Sequence, residues 1–555
     1  MFRFLTATQA DCRRSFPRKV LYRISAPAVA TLAVLFAQVV YAPPVSAQSS
    51  NRPNIVLIMA DQLAPHFTGA YGHPVVKTPN LDALAARGMR FDAAYCNSPL
   101  CAPSRASLMT GQLVSRHGAY DNAADFPSST PTFAHYLRRA GYRTCLAGRM
   151  HFVGPDQLHG FEERVTTDVY PADFAWVPDW NNAGERIDRW YHNMDPVFEA
   201  GSAVTAFQIE YDEEVGFAAR RRLMGYACDP GAPFALVASF MLPHDPYVAL
   251  PQFWNAYDDA GIDLPQTPAS AVDADPFSQR VAAGIGADAA VVSEDDIRRA
   301  RRGYYANVSY FDSKVGEIVR TVEEAGQIDN TIFIVTSDHG DMLGERGLWY
   351  KMSFFDHSAR VPLVIAGPGI AAGCVDSPCS LVDLLPTMLD LAGAGDAPRG
   401  QPVDGRSLAP MAWGGPADEG EAIGEYCAEM TASPVVMIRR GSLKYVHCDE
   451  DPPQLYDLAT DPYERSNLAA HPDWADRTAS FAAEVTARWD CAALRDSVVA
   501  SQAARRTVHE AMQQGRRTDW DHNPPRDAAQ EYVRNHIDWT VAAERTRFPP
   551  LDDGR

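Results

Sequence analysis

Short apolar runs alternate with amphipathic stretches along most of the chain. Each run is apolar at successive positions, which is typical of a strand that is buried on both faces in a parallel sheet. We predict such strands at 54–59, 234–240, 331–336 and 361–365. The amphipathic stretches between them predict helices that cover the sheet.

Two amphipathic stretches carry residues that typically start and stop helices. Thr78 and Pro79 suit the N-cap and the first helical position, and Gly88 suits the end of that helix. The segment 130–141 has the same Thr-Pro start and glycine end. Strands that alternate with helices predict an α/β fold, a large and mostly parallel sheet flanked by helices.

The pattern changes after about Pro410. Strand-like segments at 435–439, 443–447 and 454–457 follow one another between turns. This spacing predicts a smaller C-terminal domain that contains an antiparallel sheet.

We therefore divide the chain into an α/β domain (48–410), a C-terminal subdomain (411–500) and a polar tail (501–555). The tail carries scattered aromatic residues, so we expect it to be mobile or to lie on a partner surface. Residues 262–296 are rich in Pro, Ala, Asp and Ser, which predicts a long surface excursion.

The first 47 residues have the pattern of an export signal. Five Lys or Arg residues between 13 and 23 precede an apolar run at 26–42, and Val45-Ser46-Ala47 suits a cleavage site. Arg13-Arg14 also resembles a twin-arginine signal. We expect export, to the periplasm, with no stable membrane span after signal removal. The alternatives are an N-terminal anchor helix, or a cytoplasmic protein if the signal is not used.

Composition narrows the class of protein. The 555 residues are 46% hydrophobic and 22% charged, an ordinary globular balance, with a formal net charge of −20. A chain this acidic has no basic stripe for phosphates, which argues against a nucleic-acid partner.

Ten cysteines are present, and nine remain once Cys12 leaves with the signal. At least one of the nine therefore stays out of any disulfide pairing within the chain.

Acids and histidines follow the predicted strands. Asp61 follows the first strand, Asp338 and His339 follow the third, and His244 follows the second. The carboxyl ends of parallel strands meet at one edge of a sheet, so these side chains are expected to converge. Carboxylate oxygens favour Ca²⁺ or Mg²⁺, and an imidazole also admits Mn²⁺. The alternative for any one Asp-His pair is a turn or a helix cap.

The segment 101–111, CAPSRASLMTG, is the most specific in the chain. Its Cys-x-Pro-Ser-Arg followed by Leu-x-Thr-Gly resembles the signature of the sulfatase family, which has an alkaline-phosphatase-like fold. Further family-like segments run in order through most of 53–470. The alternatives for Cys101 are a buried thiol or a pair with Cys96.

The resemblance implies that a formylglycine-generating enzyme oxidises Cys101 to formylglycine, whose hydrate attacks the sulfur of a sulfate ester. It implies a divalent metal, most simply Ca²⁺, at Asp61, Cys101, Asp338 and His339. Further catalytic roles follow by position: Arg105 orients the hydrate, His151 is the base, and Lys351, His244 and Arg149 serve the sulfuryl group. Arg149 stands where the family usually has Lys, and Gln62 where many members have a second Asp.

Several segments resemble the choline-sulfatase group in particular, including 95–101, 118–126 and 344–351. The resemblance implies choline sulfate as substrate, and a C-terminal tail that embraces a neighbouring subunit of a homo-oligomer. A quaternary ammonium group offers no hydrogen-bond donor, so aromatic faces and carboxylates must recognise it. The matching segments carry candidate substrate-binding residues: Asn122, Trp176, Glu425, Glu429 and, from the tail, Asp538. For Trp176, the alternative is a plain core position.

Three functions remain open at this point. The first is a choline-sulfatase. The second is an arylsulfatase, or a phosphonate monoester or phosphodiester hydrolase of the same fold. The third is a non-catalytic binder, if Cys101 stays a thiol.

Overall fold

A mixed eight-stranded sheet forms the core of the computed structural model, which describes residues 52–183 and 192–515. Its four longest strands are apolar and buried at nearly every position, as the continuous apolar runs predict. Seven strands run in one direction, and Leu363–Ala366 is antiparallel to both of its neighbours. The strand order is Gly373–Val375, Met89–Phe91, Leu363–Ala366, Thr331–Ser337, Asn54–Asp61, Phe234–Pro243, Arg143–Gly148 and Glu163–Arg164.

Helices flank this sheet. The longest, Glu294–Glu324, packs against strand Phe234–Pro243 and helix Phe207–Cys228. Helix Phe133–Arg139 packs against strand Arg143–Gly148, and helices Cys101–Thr110 and Leu384–Leu391 pack against Phe133–Arg139. The remaining α-helices before residue 415 are Pro79–Arg87, Val114–His117, Asp195–Phe198, Pro251–Trp254, Pro276–Ile285, Asp356–Ala359 and Ala409–Ala412. The α/β fold with a mostly parallel sheet is confirmed.

One local prediction needs correction. The second Thr-Pro helix begins at Phe133, because Thr132 forms a capping box with His135 and so replaces Thr130 as the N-cap. Most residues of the expected surface excursion at 262–296 are exposed or half-buried. The excursion contains a helix, Pro276–Ile285, whose N-cap is Asp275 and whose apolar face is buried.

The C-terminal sheet is antiparallel and has four strands, Glu421–Tyr426, Val435–Arg440, Leu443–Cys448 and Asp451–Asp457. Two helices follow it, Ala475–Arg488 and Cys491–Met512. Phe481 and Val485 of the first helix pack on Ile438 and Tyr445 of the sheet. The second helix crosses residue 500, where we placed the start of the tail.

Arg505 anchors this last helix to the α/β domain. Its two terminal nitrogens each donate to one oxygen of Asp121 at 2.8 Å, and both side chains are buried. Such bidentate pairs have a strict geometry. The helix is therefore fixed beside residue 122, one of the predicted site residues.

The predicted signal segment (1–47) and the end of the tail (516–555) lie outside the described residues. Within 52–183 and 192–515, no helix is long and apolar enough to cross a membrane.

Candidate active site

Strand pairing brings the predicted metal ligands together. Asn54–Asp61 and Thr331–Ser337 are parallel neighbours with Ala60 opposite Ser337. The next residues, Asp61 and Asp338, therefore leave the sheet side by side. Each is fully buried, as is His339.

Cys101 reaches the same point from the N-terminus of helix Cys101–Thr110, which is buried along its whole length. Its Sγ lies 3.3 Å from His339 Nε2. One ligand atom from each of Asp61, Cys101, Asp338 and His339 lies within 4.8 Å of the other three. The expected convergence on residue 101 is present.

This donor set fits a divalent cation. Asp61 Oδ1 is buried and accepts no hydrogen bond from any described residue, although burial of such an oxygen is costly unless it is paired. Two carboxylates and an imidazole around it are suitable ligands for Ca²⁺, Mg²⁺ or Mn²⁺. An ion bound here would pair with the Asp61 oxygen.

Arg105 lies one helical turn after Cys101, on the same side of the helix. Its Nε donates to Asp338 Oδ2 at 2.9 Å, and its Nη2 donates to Asp61 Oδ2 at 2.8 Å. The guanidinium thus holds the two carboxylates in place. The role that the resemblance implies for Arg105 is to orient the hydrate at position 101, and the structure places its guanidinium on the two carboxylates beside that position.

Arg149 and His151 follow strand Arg143–Gly148. Gly148 has φ of 103°, and a Cβ there would lie 1.9 Å from the carbonyl oxygen of Ser239, so this tight turn requires glycine. Arg149 contacts Asp61 and stacks over the ring of Tyr170 at 4.1 Å. The turn therefore directs the positively charged side chain of Arg149 towards Asp61, one of the predicted metal ligands.

His151 is held at both ends. Its backbone N–H donates to Asp168 at 3.0 Å, and its ring stacks on Tyr170 with centroids 4.8 Å apart. Its Nε2 atom is buried and makes no hydrogen bond to a described residue. An imidazole that is fixed in place with an unused ring nitrogen is suited to proton transfer.

Lys351 and His244 form a second proton-bearing pair. Lys351 Nζ lies 2.8 Å from His244 Nε2, and His244 Nδ1 lies 2.7 Å from the carbonyl oxygen of Asp245. Burial by itself would lower the pKa of His244, but the Asp245 and Asp61 carboxylates and a hydrogen bond to Cys101 together outweigh this effect, and the net pKa is raised. Lys351 is only 1% exposed, so it is not the solvated surface lysine that its charge would suggest.

The charges around Cys101 favour an anion. Burial would raise the pKa of the Cys101 thiol, but Arg149, Lys351 and His339 lower it well below its usual value. The same cations are suited to binding the negative oxygens of a substrate.

These groups open into one cavity of about 310 Å³. Asn122, Trp176 and Glu429 line it together with Cys101, Arg149, His244 and Lys351. Trp176 is half-buried at the cavity wall and is edge-on to Tyr170, at 5.1 Å and 86°. Burial raises the pKa of the Glu429 carboxyl to about 7. Sequence reasoning missed other lining residues: Tyr170, His192, Asn193, Met241 and Asp245.

One predicted substrate-binding residue, Glu425, does not line this cavity. Glu425 lies within strand Glu421–Tyr426 and accepts hydrogen bonds from Ser115 and from Trp489 Nε1, so its carboxylate is used inside the fold. Asp538 lies outside the described residues.

A family model described as sulfatase matches residues 53–394, which include the cysteine motif and the ligand cluster. The chain belongs to the sulfatase family. It is therefore a sulfuric ester hydrolase, and sulfatases use a formylglycine and a divalent metal. Models described as N-sulphoglucosamine sulphohydrolase, C-terminal, and choline sulfatase enzyme C terminal match residues 344–489 and 496–548 of this sulfatase.

Curated relatives and solved structures agree with this assignment. A choline-sulfatase of Rhizobium meliloti (strain 1021) is 48% identical over 510 residues, which cover 90% of this sulfatase and 99% of the relative. An arylsulfatase of Clostridium perfringens (strain 13 / Type A) is 30% identical over 374 residues, 61% of this chain and 75% of the relative. The crystal structure of a phosphonate monoester hydrolase of Agrobacterium radiobacter is similar with a TM-score of 0.62 and 25% identity, over 80% of this chain and 96% of that one.

Proposed function

We propose that this sulfatase hydrolyses choline sulfate to choline and sulfate. The observation that carries the proposal is the lining of one cavity, which combines Cys101 and buried cations with the Trp176 ring and the Glu429 carboxylate. The 48% identity to a choline-sulfatase over 99% of that relative supports it. The arylsulfatase and the phosphonate monoester hydrolase that represent the alternative functions have lower sequence identity to this chain. The cysteine motif in a sulfatase argues against a non-catalytic binder.

The cations that line the cavity are suited to binding the sulfate group. Arg149, His244 and Lys351 line the cavity next to Cys101, and all are buried. Fixed cations in a site with little water stabilise anionic oxygens more strongly than they would in solution.

Trp176 and Glu429 are suited to a quaternary ammonium group. Trp176 lines the cavity edge-on to Tyr170, whose own ring stacks on Arg149 and His151, and the Glu429 carboxylate lies at the same cavity. An aromatic face attracts a cation without any hydrogen bond, which is what a trimethylammonium group requires.

The site residues divide the chemistry among them. A hydrated formylglycine at position 101 supplies an oxygen nucleophile, and a divalent ion at Asp61, Asp338 and His339, when bound, supplies Lewis-acid stabilisation of negative oxygen. Arg105 holds Asp61 and Asp338 in register. His151 Nε2 accepts a proton near residue 101, and the His244–Lys351 pair donates one to the departing alcohol oxygen.

Ca²⁺ is the ion we propose for this site, with Mg²⁺ and Mn²⁺ as alternatives, because paired carboxylates favour hard cations. Oxidation of Cys101 needs a formylglycine-generating enzyme as a partner. The basic and apolar pattern of residues 1–47 supports export, to the periplasm. The match of residues 496–548, which include most of the tail, to the choline-sulfatase C-terminal model supports assembly into a homo-oligomer.

Kinetics of Trp176→Ala test the function. We expect kcat/KM for choline sulfate to fall roughly tenfold or more, because a desolvated cation–π contact contributes about 2 kcal/mol. Turnover of nitrophenyl sulfate, which has no cation, should change much less. Trp413→Ala, at an exposed tryptophan, is the matched control.

An equal loss with both substrates would reject a cation site at Trp176. Failure of the unaltered enzyme to turn over choline sulfate, with intact activity on nitrophenyl sulfate, would reject the proposed substrate but leave the family assignment in place. Mass spectrometry of the peptide that carries Cys101 tests its conversion independently of any substrate.

A further inference from the structure

Three metal-binding side chains meet on the C-terminal subdomain, on elements that do not line the active-site cavity. His447 lies in strand Leu443–Cys448, Asp449 in the turn after that strand, and Cys491 in the first turn of helix Cys491–Met512. One ligand atom from each lies within 4.8 Å of the other two. His447 Nε2 is 3.0 Å from Asp449 Oδ1.

We propose that His447, Asp449 and Cys491 form a second metal site that takes a borderline cation such as Zn²⁺. Imidazole nitrogen, thiolate sulfur and carboxylate oxygen are the three donor types that zinc uses in proteins. The set is softer than the Asp61–Asp338–His339 cluster and is therefore expected to prefer a different ion.

The surroundings favour a cation. The three side chains line an open groove of about 440 Å³ that also contains Asp490. Arg488 is the basic residue lining this groove, and it pairs with Glu421 and Glu484 at 2.8 and 2.9 Å. Its charge is thereby compensated, and the groove leaves room for solvent at a fourth coordination position.

The carboxylates around the groove also affect the pKa of the Cys491 thiol. Burial, and then the carboxylates of Asp449 and Asp490, raise the pKa of Cys491 to about 11. Negative groups that disfavour a second anion also favour a divalent cation beside it. Binding would form a sulfur–metal bond and release the thiol proton to solvent.

A metal here would have a structural effect. It would join the turn between two strands to the N-terminus of the helix that carries Arg505. Because the unfolded chain lacks such a preformed site, binding should stabilise the folded protein.

The test uses the full chain with Cys101→Ser, so that no thiol remains at the active site. Cobalt(II) is the probe, since a thiolate ligand gives it a charge-transfer absorption that oxygen and nitrogen ligands do not. We expect this absorption in the chelator-stripped Cys101→Ser protein, its displacement by Zn²⁺, and its loss after the further change Cys491→Ser. His447→Ala should weaken binding roughly 100-fold or more, since loss of even a supporting group around a metal costs about 10–100-fold.

Cys374→Ser is the matched control. Cys374 is an exposed thiol that lies opposite Arg90 on the neighbouring strand, and it does not belong to the proposed ligand cluster. It should keep the absorption. With excess Ca²⁺ to occupy the Asp61–Asp338–His339 cluster, Zn²⁺ should also raise the unfolding temperature of the Cys101→Ser protein, and by less when Cys491→Ser or His447→Ala is added to it. The proposal is overturned if cobalt gives no thiolate absorption, or if the absorption survives Cys491→Ser. His447→Ala gives the answer if Cys491→Ser fails to fold.

Discussion

Lys351, which lines the active-site cavity, donates from Nζ to Gln62 Oε1 at 2.6 Å. The same amide donates from Nε2 to Asp341 at 2.8 Å and to Asp245 at 3.2 Å. Gln62 thus connects a buried ammonium group to two carboxylates. A second Asp at this position could accept from Lys351 but could not donate to Asp245 or Asp341, so the glutamine has a positioning role in this chain.

Gln62→Leu should therefore lower kcat for choline sulfate by roughly tenfold, with a smaller change in KM, because Lys351 loses its orientation without losing its charge. Steady-state kinetics at fixed pH measure both parameters. Gln112→Leu is a matched control, since that buried glutamine donates to the Pro402 carbonyl away from the cavity. A kcat that Gln62→Leu leaves unchanged would contradict the positioning role.

The pKa of Glu429 predicts a pH dependence of substrate binding. The carboxyl group has a pKa of about 7, so it is charged above this pH and neutral below it. Only the charged form attracts a quaternary ammonium group, so KM for choline sulfate should rise as pH falls through about 7. Nitrophenyl sulfate should show no matching change. Glu429→Gln should abolish the step, and persistence of the step in this variant would assign it to another group.

Removal of Arg105 should destabilise the protein as well as inactivate it. Arg105→Ala would leave Asp61 and Asp338 buried without their shared partner, and breaking a buried pair costs about 3–5 kcal/mol. Chemical denaturation of chelator-treated protein measures the difference in the free energy of unfolding. Arg116→Ala, which removes a partly exposed pair with Asp404, should cost about 0–1 kcal/mol. Similar losses in the two variants would argue against a tight Arg105 clamp.

Metal removal should lower both activity and stability. A ligand at 100 times its Kd stabilises a folded protein by about 2.7 kcal/mol, so Ca²⁺ should raise the unfolding temperature of the stripped enzyme. Asp338→Asn should reduce that shift because a ligand charge is lost. Parallel titrations with Mg²⁺ and Mn²⁺ compare the alternatives. A larger shift with either ion than with Ca²⁺ would change the proposed metal.

The sequence predicts those parts of the site that the sheet itself positions. Asp61, Asp338 and His244 follow apolar runs, and parallel neighbours bring such residues to one edge. Tyr170 and His192 were missed because they lie in irregular segments, where neither helical nor strand periodicity indicates which way a side chain points. Glu425 shows the opposite error. It lies in a segment that resembles the family, but its side chain accepts from Ser115 and Trp489 instead of lining the cavity.

The Arg505–Asp121 pair also sets a limit on how far the chain can be shortened. A version ending near residue 500 would keep the cysteine motif and the residues at the strand ends. It would, however, leave the buried Asp121 carboxylate, next to Asn122, without Arg505 as its partner. Protein engineers who trim the C-terminus to obtain a minimal catalytic unit should therefore retain the final helix through Arg505, and place affinity tags or fusions beyond it.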